Sequence, residues 1–209
     1  MPLPAAVLLL AAGASRRFGQ DKRRAPMPGS AGGGPGGSLL EATIRSLAIL
    51  GWPLTLVLRA DDQAYGETLR QQLRDLGAEP PIDCVYAPDS SLGMGHSLAA
   101  GARALERRGT RRLLIALGDM PYLRRETLTT LAAAVLDLDP DRPGVVRPRF
   151  QGQAGHPVGL SGLALEALTN LTGDQGARAL LQRWTAATRW LEVDDSGVVR
   201  DVDRPADLN

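Results

Sequence analysis

The sequence predicts a single α/β domain, a mostly parallel sheet with helices against both faces. Three observations predict it. Short apolar runs alternate with amphipathic stretches along most of the chain. The first run, residues 5–11, is apolar at every position, as a strand buried on both sides requires. At 209 residues the chain is long enough to close one full-sized core.

The elements follow in order. Strands are expected at 5–11, 54–58, 82–86, 113–117 and 145–147. Leu39, Leu40, Thr43, Ile44, Leu47 and Leu50 recur at helical spacing; Ser38 and Glu41 form a capping box before them, and Gly51 ends the run. Tyr65, Leu69, Leu73 and Leu76 mark a second helix that closes at Gly77. Leu98, Ala102 and Leu105 mark a third, and Leu128, Leu131 and Val135 a fourth. After about residue 148 the pattern changes. Residues 149–160 read as a hairpin-like excursion, followed by short helices at 163–168 and 177–184 and short β segments at 190–193 and 198–202. This last third is expected to extend one edge of the sheet. The stretch GSAGGGPGG, residues 29–37, is costly to order in backbone entropy and is expected to be a mobile loop.

Composition narrows the function classes. A net charge of +1 exerts no global pull toward nucleic acid. No window approaches the roughly 18 apolar residues of a spanning helix. No Lys or Arg precedes Arg16, and Pro4 interrupts the apolar run, so a secretory signal is not expected. Cys84 is the one cysteine; it has no partner for an internal disulfide, reads as a core thiol within a strand, and points to a reducing compartment, the cytoplasm. Arg107, Arg108, Arg111 and Arg112 read as a solvated face at a helix–strand turn. Arg16, Arg17, Lys22, Arg23 and Arg24 form a second basic group, and this one surrounds glycines.

That second group follows the first strand, where open α/β sheets bind ligands. Gly13 and Gly19 allow close backbone approach, Ser15 is a small donor, and Arg17 and Lys22 are cations. Backbone N–H groups and cations together suit a polyphosphate. The spacing matches neither a Walker loop nor Gly-x-Gly-x-x-Gly. On chemistry alone a phosphate cradle and a solvated basic loop stand about level.

Further stretches are candidates. In SLGMGHSLAAG, residues 91–101, Gly93 and Gly95 precede a helix whose first turn holds His96 and Ser97. Free N–H groups there can admit a base or sugar, though an ordinary glycine-rich helix entry reads the same. Asp119 follows the strand at 113–117 and faces the ligand crevice; a single carboxylate plus substrate phosphates suffices for Mg²⁺, and a turn aspartate before Pro121 is the plain alternative. His156, between Gly155 and Pro157, is by default structural.

The run Leu-Ala-Ala-Gly-x-Ser-x-Arg-Phe-Gly-x-Asp-Lys, residues 10–22, resembles the signature of MobA-like nucleotidyltransferases, with Gly13, Ser15, Arg17, Gly19, Asp21 and Lys22 in place and Arg16 at a variable position. The resemblance runs from Val7 to Leu208 and implies a Rossmann-like fold of the nucleotide-diphospho-sugar transferase type. It implies a loop that wraps the triphosphate (Leu10, Ala11, Ala12, Gly13, Ser15, Gly19), with Lys22, Arg17 and Asp119 as catalytic residues. Gly93, Gly95 and Ser97 would hold base and ribose, and Asp119 and Asp203 would bind Mg²⁺, with Asp201 nearby. Thr is more usual in the family where this chain has Arg204, and the 29–37 stretch is longer or looser than usual.

Within the family the chain looks most like molybdenum cofactor cytidylyltransferases, through Ala12, the Gly155-His156-Pro157 turn and Gly173-Asp174-x-Gly176-Ala177-Arg178. Guanylyl-transferring relatives have glycine in place of Ala12, whose methyl takes space beside the base. The resemblance thus implies transfer of CMP from CTP to the terminal phosphate of molybdopterin or molybdenum cofactor, with Mg²⁺ as cofactor. His156, Asp174 and Arg178 would contact the acceptor, and Asp174 would cap the helix after it. A molybdoenzyme or its maturation chaperone is the implied partner. The alternatives are a nucleotidyltransferase acting on a sugar phosphate or other small phosphate, and a non-catalytic cofactor-binding chaperone.

Overall fold

The structure, a computed structural model, describes residues 5–15, 17–28, 37–75, 82–174 and 176–208. Its sheet runs β3–β2–β1–β4–β7–β5–β6, with β8 added on β5. Strands β1 (Ala6–Leu10), β2 (Leu54–Arg59), β3 (Ile82–Ala87) and β4 (Arg112–Leu117) are mutually parallel. Beyond β4 the sheet becomes mixed. β7 (Val158–Ser161) is antiparallel to β4 and to β5 (Val145–Phe150), β6 (Gln153–Ala154) turns back on β5, and β8 (Thr188–Glu192) runs parallel to β5. The last third thus extends one edge, as the change of pattern after residue 148 predicted.

The uniform hydrophobicity of β1 follows from its position between two parallel neighbours under two helical layers. Val7, Leu9 and Ala11 face α1 (Leu39–Ala48), α2 (Gln63–Asp75) and α4 (Arg125–Leu136) through Leu40, Ile44, Leu47, Leu69, Leu73, Leu128 and Leu131. Ala6, Leu8 and Leu10 face α3 (Met94–Glu106) and α5 (Gly162–Leu168) through Leu98, Ala102, Leu105, Ala164 and Leu168. The period of two along a strand sends alternate side chains to opposite layers, so both sets must be apolar. Helix α1 starts on the full capping box, the Ser38 hydroxyl accepting from the Glu41 amide and the Glu41 carboxylate accepting from the Ser38 amide.

Two expectations change and a third is refined. Cys84 is half-buried, because β3 is the outer strand of its side of the sheet. Residues 198–202 do not form a strand: Ser196–Val199 is a 3₁₀ turn, because the buried Asp195 carboxylate accepts from the Gly197 amide (2.9 Å) and the Arg124 amide (2.9 Å) and curls the backbone. The arginine group at 107–112 lies on an exposed face as expected, but some of its members are also paired. Arg108 pairs with Asp83, Arg111 with Asp141, and Arg112 donates to the Leu138 carbonyl at 2.8 Å. Of the glycine-rich stretch 29–37 only Gly37 lies among the described residues, and Arg16, Leu76 and Gly77 lie outside them. Around that stretch the chain is tied by a Pro26–Ser38 bridge and a bond from the Met27 amide to the Gly37 carbonyl.

Helix α3 lies tight on the sheet at Gly101, where a Cβ would sit 2.3 Å from Leu8 Cδ1 and 2.8 Å from Val57 Cγ2. Leu8 and Val57 are themselves fully buried and have nowhere to retreat. Gly101→Val is expected to lower stability by about 1–3 kcal/mol, read as a lower urea midpoint with an unchanged slope.

Candidate nucleotide and acceptor site

The loop leaving β1 is shaped by anchors beneath it. Phe18 packs under the loop with Ala25, Leu39 and Val202. Ser15, at φ 51°, accepts through its hydroxyl from the Lys22 amide at 3.3 Å. Asp21 caps the short 3₁₀ turn Lys22–Arg24 and accepts from the Arg23 amide. Arg23 itself is only 4% exposed; its guanidinium bonds the Asp21 carboxylate, the Asp62 carboxylate and the Ala11 carbonyl (3.0 Å), and lies near the Tyr65 ring. Burial opposes its charge, but the two carboxylates overcome that, and its pKa is raised. Grouped by sequence with the phosphate cations, Arg23 is instead the bolt that ties the loop to the β2–α2 turn.

With Phe18 turned inward, the outer surface of the loop lines a cleft of about 520 Å³, to which the buried Arg23 also contributes. Leu10, Ala11, Ala12, Gly13, Ser15, Arg17, Lys22, Gly93, Ser97, Asp119, Asp174 and Asp203 all border it. Gly19 and Gly95 do not: Gly19 forms a turn at φ 80°, and the Gly95 amide donates to the Gly173 carbonyl at 2.8 Å. The expected free amide at Gly95 is therefore used to dock the 172–174 turn. Gly93 is confined too, since at φ 130° a Cβ there would sit 2.4 Å from the Gly173 carbonyl carbon.

Lys22 Nζ is held at three points: Asp119 Oδ2 at 2.7 Å, the Val202 carbonyl at 2.9 Å and Asp203 Oδ1 at 3.0 Å. Arg17 bonds the other oxygen of Asp203 at 2.8 Å. Three remote segments converge here: the β1 loop, the end of β4, and the C-terminal run whose Val202 amide donates to the Asp119 carbonyl at 2.9 Å. Burial works against the Lys22 ammonium, but Asp119 and Asp203 outweigh it and its pKa is raised. The hydrogen bond from Lys22 holds the Asp203 carboxyl below its ordinary value.

A divalent ion fits this corner. Asp119, Asp201 and Asp203 each offer an oxygen within 4.8 Å of the others, and Asp119 Oδ1 is buried without a hydrogen-bond partner. Hard carboxylate oxygens suit Mg²⁺ or Mn²⁺.

A second cavity, also about 520 Å³, adjoins the first, sharing Leu10, Met94 and Leu117. His156 and Arg178 line it, with Arg147, Gln182, Thr185 and Trp190. Asp174 lies in the first cleft instead. Nor does it cap α6 (Arg178–Arg183), whose cap is Ala177 without a side-chain bond. Sequence reasoning missed Arg59, Met94, Arg147 and Trp190. Arg59 was within reach of the rule that marked Asp119, since it ends a parallel strand beside β1; it lines the first cleft and donates to the Gly13 carbonyl. Among the described residues no helix is long and apolar enough to cross a membrane.

The sheet is covered on both faces and carries a cation-lined loop and a carboxylate cluster at its carboxyl edge, an arrangement suited to a metal-bound polyphosphate. The model of the MobA-like NTP transferase domain matches residues 7–189, and the chain belongs to that family. It is 31% identical to purine catabolism protein PucB of Bacillus subtilis (strain 168), over 97% of this chain and 93% of PucB. It is 29% identical to nicotine blue oxidoreductase of Paenarthrobacter nicotinovorans, over 94% of this chain and 90% of that protein. Among solved structures, Rv0371c from Mycobacterium tuberculosis H37Rv superposes with a TM-score of 0.74 and 25% identity, covering 99% of this chain and 96% of its own.

Two predictions follow from these anchors. Removing Arg23 leaves the Asp62 carboxylate buried without its partner, so Arg23→Ala should cost about 3–5 kcal/mol in urea unfolding, and the exposed Arg24→Ala less than about 0.5. His156 concerns pH. Burial, with the nearby charge of Arg147, pushes its pKa down from 6.5 to about 4, against a smaller opposing effect of Asp201. The unfolded chain takes up this proton below pH 6.5 and the native chain only near 4, so stability is lost as pH falls through that window. The urea midpoint of the native sequence should drop more between pH 7 and pH 5 than that of His156→Gln.

Proposed function

We propose that this chain transfers CMP from CTP to the terminal phosphate of molybdopterin or molybdenum cofactor, releasing pyrophosphate, with Mg²⁺ as cofactor. The observation that carries the reading is the contiguity of the two cavities. One offers cations and carboxylates for a metal-bound triphosphate; the other, across the shared wall of Leu10, Met94 and Leu117, offers apolar surface with Arg147, His156 and Arg178 for an acceptor.

In this mechanism an acceptor phosphate oxygen attacks the α-phosphorus in line, a new P–O bond forms, and the bond to the β-phosphate breaks as pyrophosphate departs. No general base is required, because a phosphate nucleophile is already ionised. Catalysis is then positioning and charge neutralisation. Lys22 and Arg17 stand at the mouth of the β1 loop and neutralise phosphate oxygens and the departing pyrophosphate. Asp119 and Asp203 would hold the divalent ion, with Asp201 beside them, and the bound ion supplies Lewis-acid stabilisation of phosphate charge. Leu10, Ala11, Ala12 and Gly13 form the wall of the nucleotide cleft, and the Ala12 methyl narrows it where a base would lie. Ser97, buried in the first turn of α3, and Gly93 complete the nucleotide side. His156 and Arg178 meet the acceptor, while Asp174 stands at the seam between the two substrates.

The reading carries with it a cytoplasmic location and a molybdoenzyme or its maturation chaperone as recipient of the product. The test is a pyrophosphate-release assay with purified cofactor as acceptor and CTP, GTP, ATP and UTP in parallel. CTP should be the preferred donor, and Lys22→Ala and Asp119→Ala should each lower turnover about 10²–10³-fold. Near-normal turnover in either variant, or no release with any nucleotide, would overturn the reading.

A further inference from the structure

The carboxylate that meets Lys22 and Arg17 stands on an irregular part of the fold. Asp203 ends a stretch, residues 200–203, that belongs to no helix or strand. On one side it is held through Val202, whose side chain is buried with Phe18 and whose amide bonds the Asp119 carbonyl. On the other side it is held by Asp207. One oxygen of that carboxylate, Oδ2, accepts from two successive amides, Asp203 at 3.0 Å and Arg204 at 2.7 Å.

Asp207 is itself fixed at several points. Its amide donates to the Arg204 carbonyl at 3.0 Å, at the start of the short 3₁₀ turn Pro205–Leu208. Its carbonyl accepts from the Tyr122 hydroxyl at 3.1 Å and from the Arg200 guanidinium at 3.3 Å. That guanidinium lies 3.9 Å from the centre of the Tyr122 ring. Tyr122 comes three residues after Asp119, so Asp207 joins the segment that carries one carboxylate of the corner to the segment that carries the other. The next residue, Leu208, packs against the cluster of Phe18 and Val202.

The two amides that Asp207 holds flank one α-carbon. The Asp203 amide belongs to the peptide plane before it, and the Arg204 amide to the plane after it. Bonding both to a single oxygen fixes φ and ψ of Asp203 together, and with them the direction of its Cα–Cβ bond. The pattern is half of a capping box, an acid in the turn reaching back to the residue that opens it. Arg204 opens this turn, and its guanidinium has no acceptor to offer in return. The closure therefore rests on Asp207.

We propose that Asp207 is a positioning residue for the carboxylate corner: through these two amides it sets the backbone of Asp203 and aims its carboxylate at Lys22 and Arg17. The inference rests on the reading of that corner as catalytic and deepens it, because phosphate chemistry depends on where such charges stand.

A double-mutant cycle in urea tests it without any ligand. Lys22→Met, Asp203→Asn and the two combined should show these residues coupled by about 5-fold or more in the unfolding equilibrium constant. In an Asp207→Ala background the coupling should fall below about 2-fold. Asp207→Asn keeps an oxygen that can accept from both amides, and should restore it. An Asp207 that merely stabilised the C-terminal turn would lower every midpoint alike and leave the coupling intact. Hydrogen exchange on the native chain stands even where a variant does not fold: the Asp203 and Arg204 amides should exchange about 100-fold or more slowly than in the unfolded chain. Unprotected amides, no coupling in the native background, coupling that survives Asp207→Ala, or no recovery in Asp207→Asn would overturn the inference. Pyrophosphate release that Asp207→Ala leaves at the native rate would also overturn it, and would keep the transferase reading. Coupling lost in Asp207→Ala, in a chain that releases pyrophosphate from no nucleotide, would sink the transferase reading and leave this one intact.

Discussion

A guanidinium that is almost wholly withdrawn from solvent must be matched by charge and hydrogen bonds, and Arg23 is matched by two carboxylates from different parts of the chain. Asp21 lies within its own loop and Asp62 at the start of α2, while the Ala11 carbonyl ties it to the end of β1. Losing any of these would leave a buried charge exposed to a low-dielectric interior, so the loop has essentially one arrangement. That arrangement directs Lys22 outward and Phe18 inward. The surface of the cleft is thus set by a residue whose charge is answered by the protein's own carboxylates.

The same constraint explains how three distant segments build one corner. Parallel pairing of β1 with β4 brings Gly13 and Asp119 to the same sheet edge, and the Gly118 amide donates to the Leu10 carbonyl at 2.8 Å across the gap. The C-terminal run returns over that edge on the bond between Val202 and Asp119, carrying Asp203 to Lys22. Opposite charges then hold each other within hydrogen-bonding distance, and the hydrogen bond from Lys22 keeps the Asp203 carboxyl below its ordinary value. Preorganised charge of this kind is what phosphoryl chemistry draws on, because it costs no rearrangement as the reaction proceeds.

Much of this was legible in residues alone, for reasons that differ by element. The two-sided burial of β1 shows in its unbroken apolar run, and α1 shows in its capping box, both local codes. The loop's glycine spacing and cation type pointed to a cleft-facing loop, but on chemistry alone left a phosphate cradle and a solvated basic loop level. Burial partners were not legible: nothing adjacent to Arg23 reveals that Asp62 will lie beside it, so a structural arginine was counted with the loop's basic group. Gly95 misled for a similar reason, its amide being taken by a carbonyl almost eighty positions away in sequence. Arg147 and Trp190 were hidden because β5 and β8 pair across a long excursion, and only the register Arg147↔Trp190 puts the indole under the guanidinium. The 3₁₀ turn at Ser196–Val199 was masked by apolar residues that read equally well as a strand.

Helix α3 begins on glycines pressed against the 172–174 turn. That turn contributes Asp174 to one chamber, and a few residues later the same backbone delivers Ala177 and Arg178 to the other. A partition shared by two rooms cannot shift for one tenant alone. A ligand held in either chamber therefore presses on the same short stretch of main chain.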